Sequence, residues 1–209
     1  MTEAEWLACD DPGRMLGMVH GLASNRKLRL FAVASFRGES DRFSAWKEEV
    51  EAVERFADGQ LTAAELDKVL ADIYPMVAIS ISGDRLVEAA TSATLWRDAC
   101  AGLSQVAATA TGHNKQLWHY QNPRHCTYIR EIFGRPPFRS DLFDLAWRTS
   151  TVTSLAETIY ADRAFDRLPI LADALEDAGC TDRAILDHCR QPGEHVRGCW
   201  VVDLVLGKA

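Results

Sequence analysis

The chain of 209 residues has no apolar run long enough to span a bilayer, so no membrane-crossing helix is expected. Its opening MTEAEWLACDDPG carries acids and no basic segment, which reads against a secretory signal peptide. There is no G-x-x-x-x-G-K-[ST], no G-x-G-x-x-G, no H-E-x-x-H and no G-x-S-x-G. Those absences weaken the case for the common phosphate-binding, dinucleotide-binding, zinc-peptidase and serine-hydrolase classes, though not for an unfamiliar enzyme. A basic excess is missing too. The net charge of -7 argues against non-specific nucleic-acid binding, which rests on neutralising phosphates, and against adsorption to an anionic membrane. No internal repeat and no low-complexity tract interrupts the sequence.

What is present is an ordinary globular mixture, 47% hydrophobic and 25% charged, in a chain long enough to bury a sizeable core. Six cysteines without an export signal read as reduced thiols in a cytoplasmic protein. Helix signals dominate. After Ser40, apolar residues Phe43, Trp46, Val50, Val53 and Phe56 recur at spacings of three and four, and Gly59 closes the run. Thr62 and Glu65 form a T-x-x-E capping box before LDKVLADIY, and Asp11 stands as an N-cap before Pro12. Asn122-Pro123 is expected to open a helix RHCTYIREIF that stops at Gly134. In TSLAETIYADRAFDRLPILADALEDAG, Pro169 either breaks or kinks the helix or sits in a first turn. VAISIS at 76–81 alternates like a strand, but no second strand exists to pair with it, so helix or loop is expected. The expected fold is all-α, an irregular multi-helix bundle. It forms one compact domain over 1–209 or two tightly packed helical halves, with GRPPFRSD at 134–141 as the candidate boundary.

Three stretches carry a resemblance: MTEAEWLACDDPGRML with ASNRKLRLFAVASF, the middle phrase IREIFGRPPF, and IYADRAFDRLPILADALEDAGCTDRAILDHCRQPGEHVRGCWVVDLVLGK. Together they resemble a large paralogous family of planctomycete-type bacterial proteins with no established activity. The segments cover well over half of the chain. Relatives of that type often carry a cysteine-rich phrase where this chain has AVASFRGES, and residues near 75–120 match nothing in them. The resemblance implies a coherent unit and assigns no catalytic residue.

The stretch CTDRAILDHCRQPGEHVRGCW, 180–200, gathers three of the six cysteines and two of the six histidines. His195 and Cys199 are four apart and would share one face of a helix, as metal-ligand pairs do. Cys189 is the third candidate, with His188 or Cys180 as substitutes; adjacent His188 and Cys189 point in different directions, so one of the two serves. Cys180 is harder to recruit, because a helix between it and Cys189 would set them on the order of 13 Å apart. Zinc usually takes four ligands, so a fourth must come from elsewhere, with His125 or Cys126 as candidates. No C-x-x-C hook of the finger or ribbon kind is present, and cysteine also behaves as a small buried hydrophobe, the plainer reading.

Residues 113–139 hold 5 basic and 1 acidic side chains, a local charge of +4 in an acidic chain. Lys115, Arg124, Arg130 and Arg135 alternate there with Trp118 and Tyr128, a pattern that suits contact with a protein partner. It would also suit an anionic small molecule or, less well, single-stranded nucleic acid. The competing explanation is that the charges pair with the acidic remainder while the aromatics fill a core. His113, His119 and His125 lie six apart, a spacing that does not repeat on one helix face; a pocket gathering them is the one motivation for an unfamiliar enzyme. The sequence therefore reads as a non-enzymatic interaction module with a protein partner at 113–139, homo-oligomerisation left open. Zinc binding through Cys189, His195 and Cys199 is the alternative.

Overall fold

A computed structural model describes residues 1–19, 22–37, 47–70, 115–134 and 143–208, with backbone only at Phe36 and at 115–123. Of the interpretable residues 73% are helical, in ten α-helices and no strand, which makes the fold all-α as expected. Residues 76–81, the start of the run after Ser40, and most of 134–141 lie outside the described residues. No helix among the described residues is long and apolar enough to cross a membrane. The chain divides into two compact units, Met1–Arg130 and Glu131–Ala209.

The first unit contains α1 (Glu3–Ala8), α2 (Pro12–Val19), α3 (Asn25–Arg37), α4 (Lys47–Ala57), α5 (Ala63–Leu70) and most of α6 (Lys115–Phe133). Side-chain caps start several of these helices by satisfying amides that have no partner within the helix. The Glu5 amide donates to Thr2 Oγ1 at 3.2 Å while the Thr2 amide donates to Glu5 Oε2 at 2.7 Å. Thr62 and Glu65 repeat that reciprocal box at α5, at 3.3 and 2.7 Å. Asp11 Oδ1 accepts from the Arg14 amide at 3.1 Å, as its place before Pro12 suggested. Helix α4 packs against α3 and α5, burying Val33, Val50, Ala52, Val53, Leu66 and Leu70. A half-buried ion pair joins α3 to α4, with Arg37 donating from Nε and Nη2 to the two oxygens of Glu54, each at 3.2 Å.

Helix α6 differs from its expected form. It begins at Lys115, so Asn122-Pro123 lies inside the helix and not at its start. A proline within a helix removes one backbone bond, and the eight residues before it carry the helix through that gap. Its end is as expected. Gly134 stops it with φ +68, and a Cβ there would meet the Trp200 ring at 3.1 Å, so conformation and space both require glycine.

The second unit holds the last turn of α6, then α7 (Ser150–Asp162), α8 (Leu168–Asp177), α9 (Arg183–Arg190) and α10 (Trp200–Leu206). Pro169 sits in the first turn of α8, where its missing N–H costs nothing. Helices α7, α8, α9 and α10 pack around Val152, Ile159, Leu168, Leu171, Leu175, Leu186, Val201 and Val205. Cys180 and Cys189 belong to the same apolar core. Arg148 donates to the Leu204 carbonyl at 3.0 Å and thereby caps the end of α10.

Candidate metal centre

Four side chains of the second unit bring donor atoms to within 4.8 Å of one another: Glu131, His188, His195 and Cys199. Each is positioned by a separate piece of local structure. Glu131 stands on the last turn of α6, three residues before the glycine stop. His188 lies in the last turn of α9, which Asp182 starts by accepting from the Ala184 amide at 2.8 Å. His195 belongs to the connection between α9 and α10, and Cys199 is the residue that caps α10. That connection is held in shape. Gly198 takes φ +94, the Cys199 amide donates to the Val196 carbonyl at 3.0 Å, and the Arg197 guanidinium lies 4.5 Å from the centre of the Tyr160 ring.

The distances can be compared with what a tetrahedral ion demands. Bonds of 2.0–2.1 Å to nitrogen or oxygen and about 2.3 Å to sulfur set neighbouring donors about 3.3 to 3.5 Å apart. His188 Nε2 lies 3.3 Å from Glu131 Oε2 and 3.3 Å from Cys199 Sγ. His195 Nδ1 lies 2.9 Å from Glu131 Oε1, closer to a hydrogen bond. The four are also shielded from water: side-chain exposure is 4% for Glu131, 9% for His188 and 8% for His195, and Cys199 is 0% exposed.

Electrostatics within the cluster centre on the carboxylate. Burial alone would raise the Glu131 pKa, but hydrogen bonds and charge from His188 and His195 outweigh it and bring it down to about 2. Burial lowers the His195 pKa, and the bond to Glu131 with that group's charge overcomes this and raises it. Cys199 is pushed well up, first by burial and then by the Glu131 charge, so without a cation it remains a thiol. A divalent ion would reverse that preference, since a coordinating thiol loses its proton outright. Two anionic ligands and two neutral imidazoles would then balance the charge of such an ion.

Of the residues singled out from the sequence, His195 and Cys199 come together, although not on a shared helix face; the chain between them is a turn. The third donor is His188 and not Cys189. One step along α9 turns the side chain by roughly 100°, and that step sends Cys189 into the apolar core with Cys180, where burial raises its thiol to about 12. Neither His125 nor Cys126 supplies the fourth donor. Both are buried in the first unit, where His125 meets the Phe31 ring edge-on with centroids 6.2 Å apart. The missed residue, Glu131, is the single acid among five basic side chains at 113–139. Its isolation, on the face of α6 that buries Tyr128 and Ile132, was the signal available.

Of the basic aromatic segment, the described side chains among those singled out are Arg124, Tyr128 and Arg130. Tyr128 is 1% exposed, a core residue. Arg130 is occupied in holding the end of α1, donating from Nε to the Trp6 carbonyl at 3.3 Å and from Nη2 to the Cys9 carbonyl. Arg124 is exposed on α6. The Lys115, Trp118 and His119 side chains, and His113 and Arg135 entirely, lie outside the described residues. No protein-family model matches the chain, and no curated protein or solved structure matches it either.

Proposed function

We propose that residues 131–209 form a metal-binding module in which Glu131, His188, His195 and Cys199 hold one zinc ion as a structural centre. The observation that carries this reading is the convergence of four buried donor atoms from three separate stretches of chain within 4.8 Å. Two imidazoles, one thiolate and one carboxylate make a borderline-soft set that suits zinc. A catalytic zinc keeps a position open for water or substrate, whereas four protein donors shut away from solvent close the coordination sphere. The ion would fasten the end of α6 to α9 and to the start of α10. A thiolate ligand requires reducing surroundings, and all five described cysteines are free thiols, so this reading takes the cytoplasm as its setting.

The competing arrangement is a metal-free network in which both imidazoles donate to Glu131. Elemental analysis of the untagged full chain, purified without chelator, separates the two. About one zinc per chain is expected, and cobalt substitution should give a tetrahedral visible spectrum whose sulfur-to-metal band disappears in Cys199→Ser. Protein that carries no transition metal and takes up none at neutral pH would leave the hydrogen-bonded network as the correct description.

A further inference from the structure

The outer surroundings of this cluster converge on one residue that offers no metal ligand itself. Gln191 Nε2 lies 3.2 Å from His188 Nδ1, the ring nitrogen turned away from the donors. The main chain of the same Gln191 favours the charged form of the His195 imidazole, a smaller effect than that of Glu131. Its position is fixed independently, because its own amide donates to the Asp187 carbonyl as the C-cap of α9. The side chain of this one residue thus meets His188 on the side away from the cluster.

We infer that Gln191 is the positioning residue of the metal centre, and that its carboxamide selects which nitrogen of His188 carries the proton. This rests on the zinc reading above. A neutral imidazole that coordinates through Nε2 must keep its proton on Nδ1, and that proton needs an acceptor. In this structure the carboxamide presents its NH2, which favours the proton on Nε2, and it would supply the acceptor by presenting Oε1 instead. Rotating the amide by half a turn therefore exchanges the tautomer that donates to Glu131 for the ligating one. With Oε1 inward the ring would be fixed in orientation, as outer partners of metal-bound histidines generally do.

Gln191 is exposed, so replacing it need not disturb the core. The test measures zinc affinity by chelator competition on the full chain, for the native protein, Gln191→Ala and Gln191→Glu, along with the melting temperature of each metal-free form. Loss of an outer partner costs about 10- to 100-fold in affinity, so Gln191→Ala should bind zinc that much more weakly while its metal-free melting point and cobalt spectrum stay put. Gln191→Glu retains an acceptor for Nδ1–H and should restore native or tighter binding. Equal affinity in native protein and Gln191→Ala overturns the inference, as does equal weakening in both variants. Absence of zinc binding in the native protein refutes the centre itself, a different result from either of these.

Discussion

Zinc should stabilise the second unit by an amount that can be worked out beforehand. A ligand that binds only the folded state contributes RT ln(1 + [L]/Kd), about 2.7 kcal/mol at free zinc one hundred times Kd. Glu131 is the first residue of the unit and Cys199 caps its last helix, so all four donors belong to the state that melts. A unit of roughly 80 residues shifts its melting point by about 4–8 °C per kcal/mol, so a rise of about 10–20 °C is expected between chelator and buffered zinc. Glu131→Gln keeps the shape but removes one of two anionic ligands, leaving a buried net charge. At the same free zinc, a site one hundredfold weaker returns only about 0.4 kcal/mol, a shift of a few degrees at most. Calorimetry gives the melting points, and hydrogen exchange at the amides of α9 and α10 shows which unit responds. A zinc shift of the same size in the native protein and in Glu131→Gln would refute the assignment. So would a shift that appears in the amides of α3 and α4 and not in those of α9 and α10.

Three other outcomes follow from packing and titration. Leu175 is 0% exposed in the core of the second unit, so Leu175→Ala should cost about 2–5 kcal/mol in denaturant unfolding, with zinc content unchanged once folded. Gly134→Ala places a Cβ 3.1 Å from the Trp200 ring at φ +68, and should destabilise by more than about 1 kcal/mol and weaken zinc binding by shifting Glu131. Burial brings the His125 pKa down to about 4, below the roughly 6.5 of an unfolded histidine. The unfolded chain therefore takes up a proton first as pH falls, and the first unit should lose stability between about pH 6.5 and 4 at up to about 1.4 kcal/mol per pH unit. Exchange rates at the Cys126 and Ile129 amides across that range measure the loss, and His125→Gln should flatten it.

Local signals were readable wherever the chemistry is local. The Thr62–Glu65 box, the Asp11 cap and the Gly134 stop each depend on a few neighbouring residues, and each appears where the spacing puts it. Proline in α6 was misjudged because a first-turn preference competes with tolerance inside a longer helix, and only the backbone before Asn122 decides between them. The two histidine–cysteine neighbours show the same limit. Whether His188 or Cys189 faces a site depends on which side of α9 packs on α8, and Leu186 and Cys189 were both apolar enough to leave that open.

Glu131 is the instructive case. A ligand search confined to cysteine and histidine passes over a carboxylate, and a charge count treats one acid among five bases as an exception to be averaged away. Burial changes its meaning. A carboxylate that is 4% exposed must be compensated, so a buried acid in a basic stretch implies partners on another element. Here the partners are two histidines 57 and 64 residues further along, which no local window contains. The two readings of the cluster assign Cys199 different parts. Two histidines alone can compensate the charge by donating hydrogen bonds, and Cys199, fully buried and 3.3 Å from His188 Nε2, is then one more packed thiol of the apolar core. With a cation the thiol becomes a ligand as a thiolate, so on the zinc reading Cys199→Ser should abolish the zinc-dependent rise in melting point, whereas a packed thiol predicts the same small change with and without zinc.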